Sequence, residues 1–568
     1  MKKIFIILSV ILIGELSAQN ITNTLGTLGI FRIKDNSTTF LSMDQSTGVL
    51  SLNRNMNLLN STSISTGVIM KNSTPFIHDF TGAGTDGNNT FIGVNSGNFS
   101  MGGAVNTYGS YNTALGKNTM IRNTTGSYNT SIGYLTLNQN TTGLLNTAVG
   151  TYSMNLNVTG NFNTSLGAST LYNNTTGSRN IAIGTYSLIS NISGNDNIAV
   201  GYQSQNSNTV NSGNTSVGNL SLMHNIGSHN SAFGLNTLSA NTSGDNNCAF
   251  GMNSLLSNTG GDDNTSMGVG SMYSNTTGEL NCAFGEYALY SNLNGYGNTA
   301  IGSGAIYNNV SGSYNCAFGL SALAYNNIGT HNSSFGSFSM SNNNSGNNNT
   351  CIGSHSLNNN LTGSYNTVIG SYAGSSVTTG SNLIILGYDS EPSSPTANNQ
   401  ITLGNNQITS LRCNVTSITS LSDARDKKNI NELSLGLDFI TKLRPRQFNW
   451  DKREWYEDNK SDGSKMQNMP TAGFIAQELD SLQNIENSEW LNLVLKDNPD
   501  KWEATTGNLL PIMVKAIQEL KAENDELKAE INYLNSENKK LSNIEKRLLL
   551  LERSINESNS AIENINHE

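Results

Sequence analysis

Charged residues are scarce in this chain of 568 residues, at 12% against roughly 25% in ordinary globular proteins. Lysine and arginine number 30 and aspartate and glutamate 40, so the net charge is −10. Nucleic acids and anionic membrane surfaces are bound largely through basic residues. The composition therefore predicts no nucleic-acid partner.

Proline and tryptophan are absent from long parts of the chain. No proline occurs between Pro75 and Pro392, and all four tryptophans follow residue 440. A strand that pairs on both sides needs the N–H that proline lacks, so this absence is typical of a continuous sheet. The chain is too long for one core, and its composition changes near residue 420.

The first residues carry the features of a secretory signal. Lys2 and Lys3 precede an apolar run too short to span a bilayer comfortably, and small residues precede residue 19. An uncleaved anchor is the alternative. Because no later segment is long and apolar enough for a membrane helix, we expect a secreted or cell-surface protein without a transmembrane segment after the signal peptide.

The long middle of the chain is a repeat. The pattern Asn-x-small-apolar-Gly returns every 17 residues, as at Gly116, Gly133 and Gly150, with an apolar residue four positions later and an asparagine seven positions later. A fixed period of this length indicates a solenoid. A disordered Asn/Ser/Gly tract is the alternative, but it would not keep these positions in phase.

Each repeat reads as a short strand with turns. In NTAVG, alternation places Thr147 and Val149 on one face and Asn146, Ala148 and Gly150 on the other. Stacking of identical repeats would bring the asparagines of successive coils together. We therefore predict hydrogen-bonded asparagine ladders in the core.

Three cysteines, Cys248, Cys282 and Cys316, occupy the same phase two repeats apart. Stacked two coils apart, their Cα atoms would lie about 9.6 Å from one another, too far for a disulfide. We interpret them as small apolar core residues. The histidines share no phase of the repeat, and we expect no metal and no cofactor.

Acidic residues are rare in the repeats, although Asp245 and Asp262 lie one period apart. Two carboxylates close together are what a glycosidase needs. A tailspike-like carbohydrate-degrading enzyme is therefore an alternative function. The style of the repeats resembles the head repeats of trimeric autotransporter adhesins, which implies β-rolls packed as trimers and adhesion.

A dense charged stretch, LSDARDKKNI, begins the last third of the chain at residue 421. Patterns of short helices and strands follow, and then a long helix with leucine or isoleucine at every seventh position. Asparagines at other seam positions are typical of control over register and oligomer state, so this helix is predicted to form a coiled coil. A helix packed on its own domain is the alternative. The seam positions are Leu520, Leu527, Leu534, Leu541, Leu548, Ile555 and Ile562.

This region resembles the C-terminal intramolecular chaperone domain of phage tailspikes and endosialidases, a self-cleaving serine peptidase family. The resemblance rests on Ser-Asp-x-Arg-x-Lys-x-Asn-Ile from residue 422, on LRPRQFNW, on GFIAQE and on LLPIMVKAIQEL, in this order over residues 421–535. It implies a homotrimer whose C-terminal domain drives assembly and is then cut off.

The resemblance also implies a site. The chain would be cut between Leu421 and Ser422, with Ser422 as nucleophile and Lys427 as base. Asp423, Arg425 and Asn429 are candidates for supporting roles. Lysine acts as a base only where burial or a neighbouring cation lowers its pKa from about 10.4. Asp426 departs from the apolar residue of the family and would slow cleavage if it paired with Lys427.

These inferences predict a mostly β protein, an elongated trimeric β-solenoid or β-roll with a small α+β chaperone domain and a C-terminal coiled coil. We expect an exported trimeric fibre or adhesin that cleaves itself in cis and turns over no external substrate. A permanent fibre without cleavage is a further alternative, and the candidate ligands are a surface glycan or another cell-surface receptor. The predicted segments are a signal peptide (1–18), an N-terminal β-module (19–88), the repeat solenoid (89–410), a linker to the cleavage site (411–421), the self-cleaving chaperone domain (422–510) and the coiled coil (511–568).

Overall fold

The computed structural model describes residues 30–34, 39–44, 46–53, 56–412, 414 and 422–565. The predicted signal peptide and the cleavage residue Leu421 lie outside these residues. The chain is mostly β, as predicted: a β-solenoid of 17-residue repeats is followed by a small α/β region with a long helix. It divides into two compact units, Met1–Asp263 and Asn264–Glu568.

The first unit begins with antiparallel strands. One sheet contains β1 (Ile30–Lys34), β2 (Thr39–Asp44) and β3 (Leu50–Leu52), and a second run contains β4 (Ile69–Lys71), β5 (Thr74–His78) and β6 (Thr90–Ile92). Asn72 and Ser73 join β4 to β5 with φ values of 47° and 59°. Two consecutive residues with positive φ are typical of a type I′ hairpin turn.

Parallel strands of three residues then occur once per repeat. The first unit contains β7 (Thr113–Leu115), β8 (Thr130–Ile132), β9 (Thr147–Val149), β10 (Thr164–Leu166), β11 (Ile181–Ile183), β12 (Ile198–Val200), β13 (Thr215–Val217), β14 (Ser231–Phe233) and β15 (Cys248–Phe250). The second unit contains β16 (Thr265–Met267), β17 (Cys282–Phe284), β18 (Thr299–Ile301), β19 (Cys316–Phe318), β20 (Ser333–Phe335), β21 (Thr350–Ile352), β22 (Thr367–Ile369), β23 (Ile384–Leu386) and β24 (Ile401–Leu403). Within each unit, residues one repeat apart are paired, as Thr147 is with Thr164.

The middle residue of a strand is packed in the core and the outer two face away. Ala148 is fully buried, whereas Thr147 is exposed and Val149 is half-buried, so the predicted alternation is confirmed. The apolar residue four positions after the glycine, such as Met154 or Leu171, is also fully buried. A coil such as that of Ala148 and Met154 therefore contributes one small and one large core side chain.

The repeated glycine is required by close approach of the coils. Gly150 has a φ of +132°, and a Cβ placed there would lie 2.2 Å from the carbonyl oxygen of Gly167 in the next coil. Left-handed backbone is unfavourable for other residues, and this clash involves backbone that cannot move aside. The spacing of the glycines thus follows from the stacking itself.

Two columns of buried asparagines run along the coils, which confirms the predicted ladders. Asn174 Nδ2 donates to Asn157 Oδ1 at 2.7 Å and to the Gly177 carbonyl at 2.9 Å. In the second column, the backbone N–H and Nδ2 of Asn163 both donate to Asn146 Oδ1, at 3.0 and 3.2 Å. These hydrogen bonds satisfy amides that would otherwise be costly to bury.

The cysteines depart from the prediction. Cys248, Cys282 and Cys316 are free and half-buried, and each stands at the first position of its strand, facing away from the core. Their interpretation as core residues is wrong, because the core position of that strand belongs to the next residue, such as the fully buried Ala249. Side chains in a strand alternate, so one position decides between inside and outside.

After the last coil, the second unit contains a small α/β region. Its regular elements are α1 (Leu437–Lys442), β25 (Arg446–Phe448), β26 (Thr471–Gly473), α2 (Ala476–Ile485), β27 (Val494–Leu495), β28 (Glu503–Ala504) and α3 (Leu510–Ile565). Short 3-10 turns lie at Ala424–Asp426, Arg453–Trp455, Glu489–Leu491 and Thr506–Leu509. A compact apolar core joins α1, α2 and the start of α3 through Phe439, Leu479, Leu491, Leu493, Val494, Leu509 and Ile512.

The long helix α3 has 56 residues and packs on α1 near its start, where Glu519 accepts a hydrogen bond from the Leu437 N–H at 2.6 Å. Farther along, the seam residues are bare: Leu520, Leu527 and Leu534 are 52%, 57% and 51% exposed. A row of leucines half in water gains stability only by packing against another helix. None of the helices in the described part of the chain has the length and apolarity to cross a membrane.

Candidate functional site

The charged stretch after residue 421 folds into one 3-10 turn, Ala424–Asp426. Asp423 caps this turn, since its Oδ1 accepts a hydrogen bond from the Arg425 N–H at 2.9 Å. Its carboxylate also pairs with the Arg425 guanidinium at 2.6 Å. These hydrogen bonds from Arg425 lower the pKa of Asp423.

The turn brings Ser422 and Lys427 into contact across five positions of sequence. Lys427 Nζ donates a hydrogen bond to Ser422 Oγ. The Lys427 N–H donates to the Ala424 carbonyl at 3.2 Å, which fixes the backbone beneath the lysine side chain. An amine in contact with a hydroxyl is the arrangement in which a base can take the hydroxyl proton.

The other candidate residues of this stretch lie outside the contact. Asn429 has a left-handed backbone, with a φ of 55°, and its carbonyl accepts a hydrogen bond from Asn431 Nδ2 at 3.1 Å. Within residues 422–430, all of which are described, Asp426 forms no ion pair with Lys427. The predicted residues therefore form two pairs, Ser422 with Lys427 and Asp423 with Arg425.

Every residue from Ser422 to Ile430 is exposed in the single chain. The serine and the lysine are thus positioned next to each other on a turn that solvent reaches.

Two further motifs of the region contact each other. LRPRQFNW supplies β25, and GFIAQE begins at the last residue of β26 and continues into α2. The two strands pair antiparallel with Gln447 opposite Ala472. Arg446 of the first motif binds Glu478 of the second through Nε at 3.0 Å. The hydrogen bonds from Arg446 lower the pKa of Glu478. These sequence motifs are therefore one structural unit.

The α/β region also contacts the last coils of the solenoid within the second unit. Ser393 Oγ donates to Asp497 at 3.3 Å, and Asn406 Nδ2 donates to Glu454 at 3.1 Å. Burial raises the pKa of Glu454, but hydrogen bonds from Lys501 and Asn406 outweigh burial and lower it. Both contacts are hydrogen bonds between polar side chains.

A shallow groove of about 570 Å³ crosses several coils of the second unit. Its wall is formed by side-chain amides, hydroxyls and two exposed apolar side chains, with no carboxylate among them. It is lined by Asn308, Tyr325, Asn327, Asn342, Asn344, Asn359, Leu361, Ser376 and Thr378.

The in-phase acids Asp245 and Asp262 have structural partners. Asp245 Oδ1 accepts a hydrogen bond from the Ser228 N–H at 2.6 Å, and Asp262 Oδ1 accepts one from the Asp245 N–H at 2.7 Å. Each carboxylate thus caps the backbone of the preceding coil. Among the described residues, no group of three or more His, Cys, Asp and Glu side chains could hold a metal ion.

Comparison with known proteins locates the similarity in this last region. Residues 422–485 match the family model described as chaperone of endosialidase. The predicted resemblance is thereby confirmed for this segment, and the match begins at Ser422. No curated protein and no solved structure matches the chain. A β-solenoid followed by such a domain is consistent with a tailspike or fibre.

Sequence reasoning did not single out Glu478, which joins the two strand motifs. Arg444 Nη1 lies 3.3 Å from Glu478 Oε1, so both arginines of LRPR contact this one carboxylate. The sequence contained a signal for this contact, because LRPRQFNW carries two positive charges and GFIAQE carries one negative charge. Only the pairing of the strands shows that these charges meet.

Proposed function

We propose that this protein is an exported trimeric fibre whose C-terminal chaperone domain assembles three chains and is then released by self-cleavage between Leu421 and Ser422. The observation that carries the proposal is the hydrogen bond from Lys427 Nζ to Ser422 Oγ, at the first residue of the segment that matches the chaperone family. The β-solenoid that precedes it supports the fibre.

In the proposed reaction, the neutral Lys427 amine takes the proton of the Ser422 hydroxyl. Ser422 Oγ attacks the Leu421 carbonyl carbon, the peptide C–N bond breaks, and Lys427 returns the proton to the leaving Ser422 nitrogen. Water then hydrolyses the ester, giving a Leu421 carboxylate and a fragment that begins with Ser422. Holding the hydroxyl beside the bond it attacks contributes several kcal/mol, on the order of 5.

We propose that assembly provides the cover that the single chain lacks. The seam of α3 is exposed and regularly spaced, which supports a coiled coil of several copies. Copies brought together along α3 would surround the exposed turn, dehydrate Lys427 and favour its neutral form. Cleavage would then follow assembly, and the release of the template would leave a fibre that unfolds slowly.

The groove in the second unit supports adhesion over hydrolysis. Its lining contains asparagine amides and Tyr325 without a carboxylate pair, and Asp245 and Asp262 bind backbone elsewhere. A neutral surface of amides and an aromatic ring suits a glycan ligand. A glycan array and an assay for released reducing sugar separate binding from cleavage.

Two variants test the self-cleavage. Ser422→Ala is expected to give full-length protein that still assembles, because the hydroxyl is needed for attack and the residue is exposed. Lys427→Ala should behave alike through loss of the base, whereas Lys428→Ala should cleave normally. A denaturing gel time course measures cleavage, and light scattering measures assembly. Cleavage that continues in Ser422→Ala contradicts the proposed nucleophile.

A further inference from the structure

The outward face of the parallel strands is uniformly uncharged. We define the strand face as the first and third residues of strands β7–β24. The third residue is Leu, Ile, Val, Met or Phe in every strand, and the first is Thr, Ile, Ser or Cys. Its polar groups are mainly hydroxyls, since threonine or serine stands first in eleven of the eighteen strands. The strand face therefore carries no side-chain charge and has an apolar residue at the third position of every strand.

This face is exposed in the single chain. Leu166, Ile352 and Ile369 are 48%, 45% and 42% exposed. A side chain of this size and exposure leaves on the order of 70 Å² of apolar surface in water. In the second unit alone, six of the nine third residues of β16–β24 are exposed and three are half-buried, so together they leave on the order of 500 Å² in water. This area is large for a patch on a monomer and is more than half of the ~800 Å² that one partner buries in a stable complex.

Side-chain volume on the strand face is balanced within each strand. Wherever phenylalanine occupies the third position of β7–β24, the first position is serine or cysteine, as in Ser231/Phe233 and Cys282/Phe284. Isoleucine occurs at the first position only beside Ile, Val or Leu, as in Ile181/Ile183. Water imposes no such balance, whereas a packed neighbour does, because interiors tolerate neither gaps nor overfilling.

The cysteines of this face also indicate a covered surface. Cys248, Cys282 and Cys316 are free and half-buried, and burial raises the pKa of each thiol. In an exported protein, an accessible thiol is open to oxidation and disulfide exchange. A surface packed over these thiols would protect them.

We infer that the strand face is covered by another copy of this chain in the assembled fibre. This inference rests on the proposed assembly, and it names the surface that the solenoid uses. A second copy is the occupant that fits, because the proposed assembly through the exposed seam of α3 brings copies of this chain together and the uncharged face repeats at the same interval in each copy. Packing in register along this face would extend that contact into the repeats.

The test compares two introduced cysteines in a full-length chain that also carries Ser422→Ala, so that α3 stays attached. Ile369→Cys lies on the strand face and Leu361→Cys lies on the groove side of the same repeat, with 42% and 47% exposure of the native side chains. In a lone chain the two thiols should react with a maleimide at similar rates. Coverage by a copy predicts that Cys at 369 reacts at least about tenfold more slowly, scored by peptide mass spectrometry.

Light scattering on the same samples gives the number of copies. A multimer with slow labelling at position 369 supports the inference. A multimer with equal rates overturns it and leaves assembly through α3 standing, whereas a monomer overturns both, whatever the rates. If Ile369→Cys fails to assemble, native Cys316 in the chain with Ser422→Ala alone provides the same readout, and rapid labelling of Cys316 in a multimer contradicts the inference.

Discussion

The solenoid and the α/β region of this chain are stabilised in different ways. A coil of the solenoid repeats a few contacts, namely a buried asparagine, a buried leucine or methionine and a glycine against the next coil. The α/β region uses contacts that occur once, such as Arg446 with Glu478 and Glu519 with the Leu437 N–H. The stability of the repeats comes from the same contacts in successive coils, whereas the stability of the α/β region comes from ion pairs and a small apolar core.

This difference matches the proposed roles. A repeat array gains stability from each neighbouring coil, and its parallel strands pair one repeat apart within the chain, as Thr147 does with Thr164. In the proposed fibre, several such arrays must also be brought into register with one another. A small charged domain with a long helix can fold early and bring the chains together. Under the proposed release, the domain has no further structural role once the coils have formed.

The largest expected effect comes from adding one methyl group, as a Gly→Ala substitution, in each of the two regions. Gly150→Ala places a Cβ 2.2 Å from the Gly167 carbonyl oxygen at a φ of +132° and should destabilise the solenoid by about 3 kcal/mol or more. Gly507→Ala in the α/β region meets open space and should change stability by less than about 0.5 kcal/mol. Urea denaturation followed by circular dichroism measures both, and similar losses would contradict the account of close coil contact.

The asparagine ladder should be the next most sensitive feature. Asn174→Ala leaves the buried Asn157 Oδ1 without the donor Asn174 Nδ2 and removes the oxygen that accepts from Asn191 Nδ2, whereas the Gly177 carbonyl keeps its hydrogen bond from Asn163. The expected loss is about 3 kcal/mol, since each orphaned buried group costs about 1–3. Asn173→Ala, at the half-buried neighbouring position, is the control. Equal stability of the two variants would show that the ladder contributes little.

Acid should weaken the α/β region more than the repeats. Hydrogen bonds from Arg446 lower the pKa of Glu478 below its ordinary value of 4.5. A carboxyl with a lowered folded pKa stabilises the fold above the unfolded pKa, and this contribution disappears as pH falls through the folded pKa. We expect the tryptophan fluorescence transition, which reports only on the α/β region, to shift to lower temperature from about pH 5 to pH 3. Glu478→Gln should make this transition temperature less dependent on pH. A transition temperature of the wild type that does not change between pH 5 and pH 3 would contradict the prediction.

The smallest expected effect concerns the rate of cleavage. Asp426 is exposed and forms no ion pair with Lys427 in the described single chain, yet its charge lies one residue from the base. Removal of this charge favours the neutral amine. Asp426→Leu should therefore cleave a few-fold faster than the wild type in a gel time course, with Asp426→Asn showing how much is due to charge alone. Slower cleavage in both variants would assign Asp426 a supporting role.

Much of the solenoid structure could be predicted from the sequence because each sequence feature recurs in many repeats. The period, the alternation in NTAVG and the asparagine ladder need only local rules and stacking. The left-handed backbone of buried residues such as Met154 and Leu171, with φ of 48° and 47°, could not be predicted, because apolar side chains disfavour it and only packing imposes it. Gln205, which breaks the apolar rule, is accommodated by a hydrogen bond to the Ile198 carbonyl at 2.8 Å.

The candidate site was predictable only in part. The sequence resemblance named Ser422 and Lys427, but their contact depends on the 3-10 turn that Asp423 caps. The exposure of the pair was not predictable from composition, because it depends on what surrounds the turn. The wrong prediction for the cysteines has a similar origin. A small apolar residue fits either face of a strand, and only the register of the strand decides which face it occupies.

The central claim is that the chain cuts itself between Leu421 and Ser422. The most direct measurement is the N-terminal sequence and intact mass of the small fragment released from newly assembled wild-type protein. The account predicts a fragment that begins Ser-Asp-Ala-Arg and spans residues 422–568, formed after assembly and absent from Ser422→Ala. Full-length wild-type chain that persists after assembly, or a fragment that begins at another residue, would contradict it.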